Sequence, residues 1–317
     1  MKLPKAVDEY VKLKIAIGFK FRSIAATLRS FYRAMGDVEV GTLDPADVSG
    51  FVSGNGPITS SWHHRFDALV GLNRYLMSRD CPTLIPLPSV VPKRPQPRSP
   101  YIYRPEELRR LLALTVTFNR VRAGRMLLGS TLRVLVLLFY GTGLRLGEAL
   151  SLNIADADLA AGVLTIRDTK FFKTRLVPIG DRLGEELKAY LRWRLALPCP
   201  DGEASPFFVT RRGKRLDCRC VQENFRAVCI LAGVRRDGDA RQQPRIHDLR
   251  HTFAVHRLVA WYREGADVQR LLPKLSTYLG HIDVAATQRY LTMTPELLSE
   301  ANRRFERYAF EEARHAR

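Results

Sequence analysis

Three stretches far apart in the chain carry side chains suited to reaction chemistry. In YGTGLRLGEAL, residues 140–150, Arg145 precedes Glu148 by three positions. The two glycines let one helix end and another start near Leu144, which puts the guanidinium in a first turn at the edge of a core with the carboxylate close enough to orient it. An ordinary helical Arg/Glu pair has the same spacing. In HDLRHTF, residues 247–253, His247 and Arg250 stand at i and i+3 and project together from a helix, a proton acceptor beside a fork that can clamp phosphate. His247 and His251, at i and i+4, could instead ligate a metal, although no third ligand follows at close spacing. The third stretch runs from YLGH at 278–281 to Tyr290. Taken singly, Tyr290 reads as a half-buried core aromatic and His281 as a satisfied polar side chain.

Other chemistries lack their residues. The chain has no Walker A sequence, and GTGLRLG at 141–147 has three residues rather than two before its last glycine, so it fails the dinucleotide fingerprint. ATP and NAD are therefore not expected. No compact acidic cluster of the two-metal kind stands in the sequence. Cys218 and Cys220 have only Cys229 nearby and no histidine at zinc-finger spacing, so they read as small apolar side chains, with neither metal nor cofactor expected.

The elements that must position these residues follow from periodicity and punctuation. Seven of the 18 prolines lie in residues 82–101, a stretch that can be neither helix nor central strand. It reads as a basic linker, with Lys93, Arg94 and Arg98 placed to lie along a phosphate backbone. Residues 1–81 read as a helical domain: Ile24, Leu28, Phe31 and Met35 recur at helical spacing, as do Trp62, Phe66, Leu69, Leu72 and Leu76 after Ser60 and Ser61 as N-caps. A Gly/Pro/Ser-rich connection from Gly41 to Thr59 joins them. Residues 102–317 form the second domain. Helical patterns cover Pro105 to Leu114, a buried Ser130 to Tyr140, Arg182 to Leu195, Cys218 to Leu231 and Ile246 to Arg263, and a hairpin is predicted from Leu164 to Arg167 and Arg175 to Ile179. A last helix, about 295–310, starts at Thr294 and Pro295 and carries Leu298, Ala301, Phe305 and Tyr308 as a stripe. The fold class is mainly α with a small β-hairpin, in two domains.

With 51 Lys and Arg against 32 Asp and Glu, the 317-residue chain carries +19 at neutral pH. That excess repels itself unless a polyanion shares the field, so nucleic acid is the first partner expected. The longest apolar run, Val134 to Tyr140, is too short to span a bilayer, which argues against a membrane. Forty-six per cent apolar residues are enough to bury a sizeable core, which excludes a wholly disordered basic tail. Five cysteines and no apolar N-terminal segment read as a reduced cytoplasmic protein, associated with the nucleoid. Arg211, Arg212, Lys214 and Arg215 form a further basic segment suited to phosphate contact.

In this order the three clusters resemble the tyrosine recombinase, or lambda-integrase-like, family over about residues 102–292. Arg145 and Glu148 match its first box, His247 and Arg250 its His-x-x-Arg box, Leu279 to His281 its Leu-Gly-His box, and Tyr290 its nucleophile nine residues further on. The family's β-hairpin lysine matches Lys170, eight residues before Pro178, with Lys173 in reserve. Extra residues around Trp261 to Lys274, compared with short Xer-type members, suggest a mobile-element integrase. The resemblance to the family's core-binding domain before the linker is only general.

The resemblance implies a site-specific recombinase that clamps duplex DNA and acts without ATP or metal. Arg145, Arg250 and His281 would hold the scissile phosphate, His247 would take the phenolic proton of Tyr290, Lys170 would protonate the departing 5′-oxygen, and Glu148 would support Arg145. The product would be a 3′-phosphotyrosine used for integration, excision or transposition. It also implies a homo-oligomer on DNA, a tetramer on paired sites, with accessory recombination proteins biasing direction. A type IB topoisomerase resembles this site and would relax supercoils instead. An inactive DNA-binding regulator is the alternative of another class, against which every catalytic position being filled argues.

Overall fold

The computed structural model describes residues 1–96, 99–120, 127–167, 174–238, 243–281, 283–292, 297–303 and 305–306. The chain is mostly helical, with small antiparallel sheets, and it divides near residue 97 into two compact units.

The first unit is built on four helices: α1 (Leu3–Ala16), α2 (Arg22–Met35), α3 (Pro45–Ser53) and α4 (Ser60–Met77). Apolar positions three and four apart give each helix an inward stripe, and Leu3, Val7, Leu28, Phe31, Val48, Val52, Leu69 and Leu72 meet in one core. Two local readings change. The predicted connection from Gly41 to Thr59 contains α3, because the Asp44 side chain accepts from the Ala46 N–H and Pro45 occupies the first turn. The cap of α4 is Thr59 rather than Ser60 or Ser61; its hydroxyl accepts from the Ser61 N–H. The proline-rich stretch begins on this unit. The buried Asn73 amide donates to the Ile85 carbonyl and accepts from the Ile85 N–H, both at 2.9 Å, and Ile85 fills the same core.

The second unit is arranged around α6 (Gly129–Thr142), whose buried residues lie on nearly every side: Leu132, Leu135, Val136, Leu138 and Phe139. Each such side chain contributes about 1.5–3 kcal/mol on burial, which outweighs the weak helix propensity of the valines. Around α6 pack α5 (Pro105–Thr117), α8 (Asp181–Leu195), α9 (Cys218–Leu231) and α10 (Asp248–Arg263). A two-residue ladder, β1 (Asn119–Arg120) with β2 (Leu127–Leu128), leads into α6. The short α7 (Leu146–Ser151) follows it. The hairpin strands are β4 (Val163–Ile166) and β5 (Arg175–Pro178), paired Val163 to Pro178 and Ile166 to Arg175, and β3 (Ala157–Asp158) adds a third strand on the free edge of β4.

A second core joins α10 to α11 (Val268–Leu279), where Phe253, Leu258, Leu272, Leu275 and Leu279 pack with Tyr290 and Leu297. The extra residues between Arg250 and His281 are thus the end of α10, a turn and most of α11, with Pro273 inside the helix. After α12 (Ala285–Gln288) a 3₁₀ turn spans Arg289–Thr292. Residues 297–303 and 305–306 are helical, but the inward positions are Leu297 and Glu300, the latter held by Arg263 and Arg303. Leu298 and Phe305 of the predicted stripe face outward; Tyr308 lies outside the described residues. Among the described residues no helix is long and apolar enough to cross a membrane.

Candidate active site

The break between α6 and α7 places the first arginine. Gly143 ends α6 with φ +64°, and a Cβ there would lie 2.6 Å from Leu279 and 2.7 Å from Phe253. Only glycine lets the chain turn this close to α10 and α11. Arg145 is not in a first turn, as the sequence suggests, but caps it with extended backbone, because α7 starts at Leu146. Glu148 reaches back to accept from the Arg145 N–H at 3.0 Å and from its Nη1 at 2.7 Å. The Arg145 Nη2 donates to the Gly280 carbonyl at 3.1 Å, across 135 residues.

His247 likewise precedes its helix, since α10 starts at Asp248; its backbone is already α-helical, so the i, i+3 relation to Arg250 survives. Arg250 is only 2% exposed. Its two arms donate to the Gly143 and Leu279 carbonyls, the latter at 2.7 Å. A buried guanidinium is expensive unless its donors are met and an anion is near. Burial, and then the neighbouring Arg145, push Arg250 down to about 10, while Tyr290 and Glu148 pull it back up.

Tyr290 is 3% exposed on the 3₁₀ turn. Burial raises its phenol above the ordinary value, and the adjacent Arg250 guanidinium works against that rise. Two imidazoles lie against the ring, His251 with centroids 5.6 Å apart and His281 at 6.0 Å, the latter stacked. His247 stands edge-on to His251 at 5.2 Å. His281 shares a 2.7 Å hydrogen bond through Nδ1 with the Thr287 hydroxyl. Burial and the facing arginines hold His281 down to about 4, and burial with Arg250 lowers His247 as well. Both imidazoles are therefore neutral at pH 7, each with one nitrogen to donate and one to accept.

Arg145, Glu148, His247, Arg250, His281 and Tyr290 are therefore brought into one neighbourhood. Lys170 and its reserve Lys173 lie outside the described residues, as does Arg98. The basic positions meant for phosphate divide. Lys93, Arg211, Arg212 and Lys214 are exposed. Arg94 is also exposed, but its Nη2 sits 2.8 and 2.9 Å from the two Asp67 carboxylate oxygens. Arg215 is exposed as well, but its guanidinium is engaged, donating to the Leu150 carbonyl and to Asn153 Oδ1, both at 2.7 Å. Among the described residues no three His, Cys, Asp or Glu side chains gather as a metal site.

Two residues of this neighbourhood escape the motif reading. His251, weighed only as a metal ligand, packs on Tyr290 instead, and burial, then His247, lower it to about 4. Arg175 opens β5 and donates through Nη1 and Nη2 to both oxygens of Glu148, at 3.1 and 2.8 Å. Strand alternation puts it on the face of buried Val177 while Leu176 points outward, and an arginine on an inward face needs an anion. With four donors around it, Glu148 stays ionised: burial opposes its charge, but Arg175 and Arg145 prevail and hold the carboxyl at about 2.

The model of the phage integrase family matches residues 104–296. The integrase/recombinase y4rB of Sinorhizobium fredii is 39% identical over 306 residues, 96% of each chain. Among solved structures, the Tn1549 transposon integrase in complex with transposon right-end DNA is 14% identical, covers 98% of this chain and 100% of its own, and has a TM-score of 0.66. A lambda integrase tetramer bound to a Holliday junction is 16% identical with a TM-score of 0.63, over 92% of this chain and 77% of its own. At such identities the structural likeness speaks for the fold.

Proposed function

The chain belongs to the phage integrase family, enzymes that break and rejoin DNA, and we propose that it is a site-specific recombinase of a mobile element acting through a 3′-phosphotyrosine. The observation that carries the reading is the pairing of two arginines on adjoining carbonyls, Arg145 on Gly280 and Arg250 on Leu279, with Tyr290 beside Arg250. Each guanidinium has N–H groups beyond those bonds, and in this reading they take the non-bridging oxygens of a phosphodiester.

In this reading the Tyr290 oxygen attacks phosphorus, the O–P bond forms, and the bond to the 5′-oxygen breaks. The neutral His247 accepts the phenolic proton, directly or through His251, and Lys170 gives a proton to the departing oxygen. His281 is assigned the tautomer with its proton on Nε2, which donates to the phosphoryl group while Nδ1 accepts from the Thr287 hydroxyl. The attack of a second 5′-hydroxyl on the phosphotyrosine reverses the step on a new partner, so bond energy is conserved without ATP or metal. Preplaced donors of this kind are typically worth ~10²- to 10³-fold each.

Double-stranded DNA is the substrate, with Lys93, Arg94, Arg98, Arg211, Arg212 and Lys214 on its phosphates and a lesser part for Arg215, whose donors are engaged internally. A tetramer on paired sites is supported by the outward Leu298 and Phe305 of the last helix and by the assembly named for the lambda enzyme. The name of the Sinorhizobium relative and the transposon integrase among the structural neighbours support the mobile-element role. The test pairs two DNA fragments carrying the element's ends with the protein and sequences the products. Reciprocal joined ends, absent with Tyr290→Phe, are expected; relaxation of supercoils without joined ends would contradict the reading.

A further inference from the structure

Four hydrogen bonds converge on Glu148 and use up its acceptor sites. Oε1 takes Arg145 Nη1 and Arg175 Nη1, and Oε2 takes the Arg145 backbone N–H and Arg175 Nη2. A carboxylate offers about four lone-pair directions, so Arg145 can hold it by one arm only. Its other arm stays on the Gly280 carbonyl, and the rest of the guanidinium is left for substrate. Were Arg175 absent, Glu148 would have two open lone pairs and an undivided negative charge next to Arg145. The favoured geometry would then be a two-armed chelate, which turns the guanidinium toward its own protein and neutralises it.

A second set of bonds ties the same arginine to the catalytic frame. Arg175 Nε donates to the Tyr278 carbonyl at 3.1 Å, next to the Leu279 carbonyl held by Arg250 and the Gly280 carbonyl held by Arg145. Three consecutive carbonyls at the end of α11, where a helix has no internal donors to offer, are thus met by three arginines. Gly280, at φ +68°, makes room for this: a Cβ there would lie 2.7 Å from Arg175 Nη1 and 2.8 Å from Cζ. The side chain of Arg175 is 13% exposed, so it is committed to these contacts.

We propose that Arg175 is a positioning residue for strand transfer: by saturating Glu148 and fastening the end of α11, it keeps Arg145 turned outward to receive the scissile phosphate. The inference rests on the strand-transfer reading above and adds to it a residue outside the family-matched set. Arg175 does not touch the reacting atoms. It acts through Arg145.

The test is single-turnover cleavage of a nicked suicide duplex by the full chain, with folding and DNA affinity measured alongside. Arg175→Gln is expected to slow adduct formation ~10²-fold, with duplex affinity changed by less than about threefold, because one phosphate donor is lost and distant contacts remain. In a Glu148→Gln background the same substitution is expected to cost less than about fivefold, since no carboxylate remains to capture Arg145. A substrate with a methyl group in place of one non-bridging oxygen carries no charge to be clamped, and the Arg175→Gln loss is expected to shrink at least tenfold on it. A general structural lesion would leave that loss unchanged and would multiply with Glu148→Gln; either result overturns the proposal. Arg175→Lys, which keeps the charge with one arm, serves if Arg175→Gln does not fold, and wild-type rates from it would equally refute the role. A wild-type chain forming no Tyr290-dependent adduct would overturn the strand-transfer reading and this inference together, whereas an active wild type matched by Arg175→Gln would overturn this inference alone.

Discussion

Replacing Glu148 by glutamine tests the electrostatics of the site without DNA. The carboxyl falls from its ordinary 4.5 to about 2, since Arg175 and Arg145 overcome the burial that opposes its charge. A depressed acid stabilises the fold fully above its unfolded value and loses that stabilisation as pH drops toward the folded one. The difference corresponds to about 3 kcal/mol at pH 7, of which about 2 kcal/mol is gone by pH 3. Glutamine has no such dependence. Urea unfolding of both proteins between pH 7 and 3, in a Trp62→Phe background so that emission reports Trp193 and Trp261 of the second unit, should show wild type ahead at neutrality and the gap closing by about 2 kcal/mol on acidification. A gap that stays constant over this range would mean that Glu148 carries no depressed charge, and the four-donor arrangement would be wrong.

Gly143→Ala forces a Cβ into Leu279 and Phe253 at positive φ, and should lower stability by about 1–3 kcal/mol and impair the Arg250 contact; an unchanged melting temperature would refute this. The second-order rate of adduct formation should have an acid limb below pH 6.5 and be flat from there to pH 8, because His247 and His281 are held neutral by burial and nearby arginines. A limb centred at or above 7 would contradict it. Lys170→Ala should slow cleavage ~10²- to 10⁴-fold on ordinary DNA and recover when sulfur replaces the scissile 5′-oxygen, a leaving group that needs no proton. Recovery seen with Lys173→Ala instead would move the acid to that residue.

The repeating part of the fold was legible because burial needs period: the stripe of α4 and the all-round apolar α6 are in the sequence as they are in the structure. Starts of helices were less legible. The expected helix start at Ile246 gave way to Asp248 because the Asp248 carboxylate caps backward onto the Arg245 N–H, leaving His247 ahead of the first turn. The short α3 was hidden by its own Gly50 and Ser53, although Asp44 and Pro45 were the signals for it. In the last helix the outward stripe of Leu298 and Phe305 was readable, but not that Leu297 and Glu300 would turn inward, which depends on Arg263 far away in sequence. For the site, motif spacing found the side chains that converge. It could not find Arg175, whose partner Glu148 is 27 residues distant, nor the three main-chain carbonyls from Tyr278 to Gly280 that hold the arginines, because a carbonyl has no sequence signature.

If separated side chains surround one phosphate so that a phenol displaces a sugar alcohol, the trapped intermediate has a defined chemical identity. To read it, the protein is incubated with a nicked duplex in excess chelator, digested, and the DNA-linked peptide sequenced by mass spectrometry. A 3′-phosphate esterified to Tyr290, a free 5′-hydroxyl on the other fragment, and no adduct with Tyr290→Phe are expected. A linkage through Tyr278 or Tyr308, a 5′-phosphate attachment, or cleavage that stops when metal is removed would contradict this chemistry.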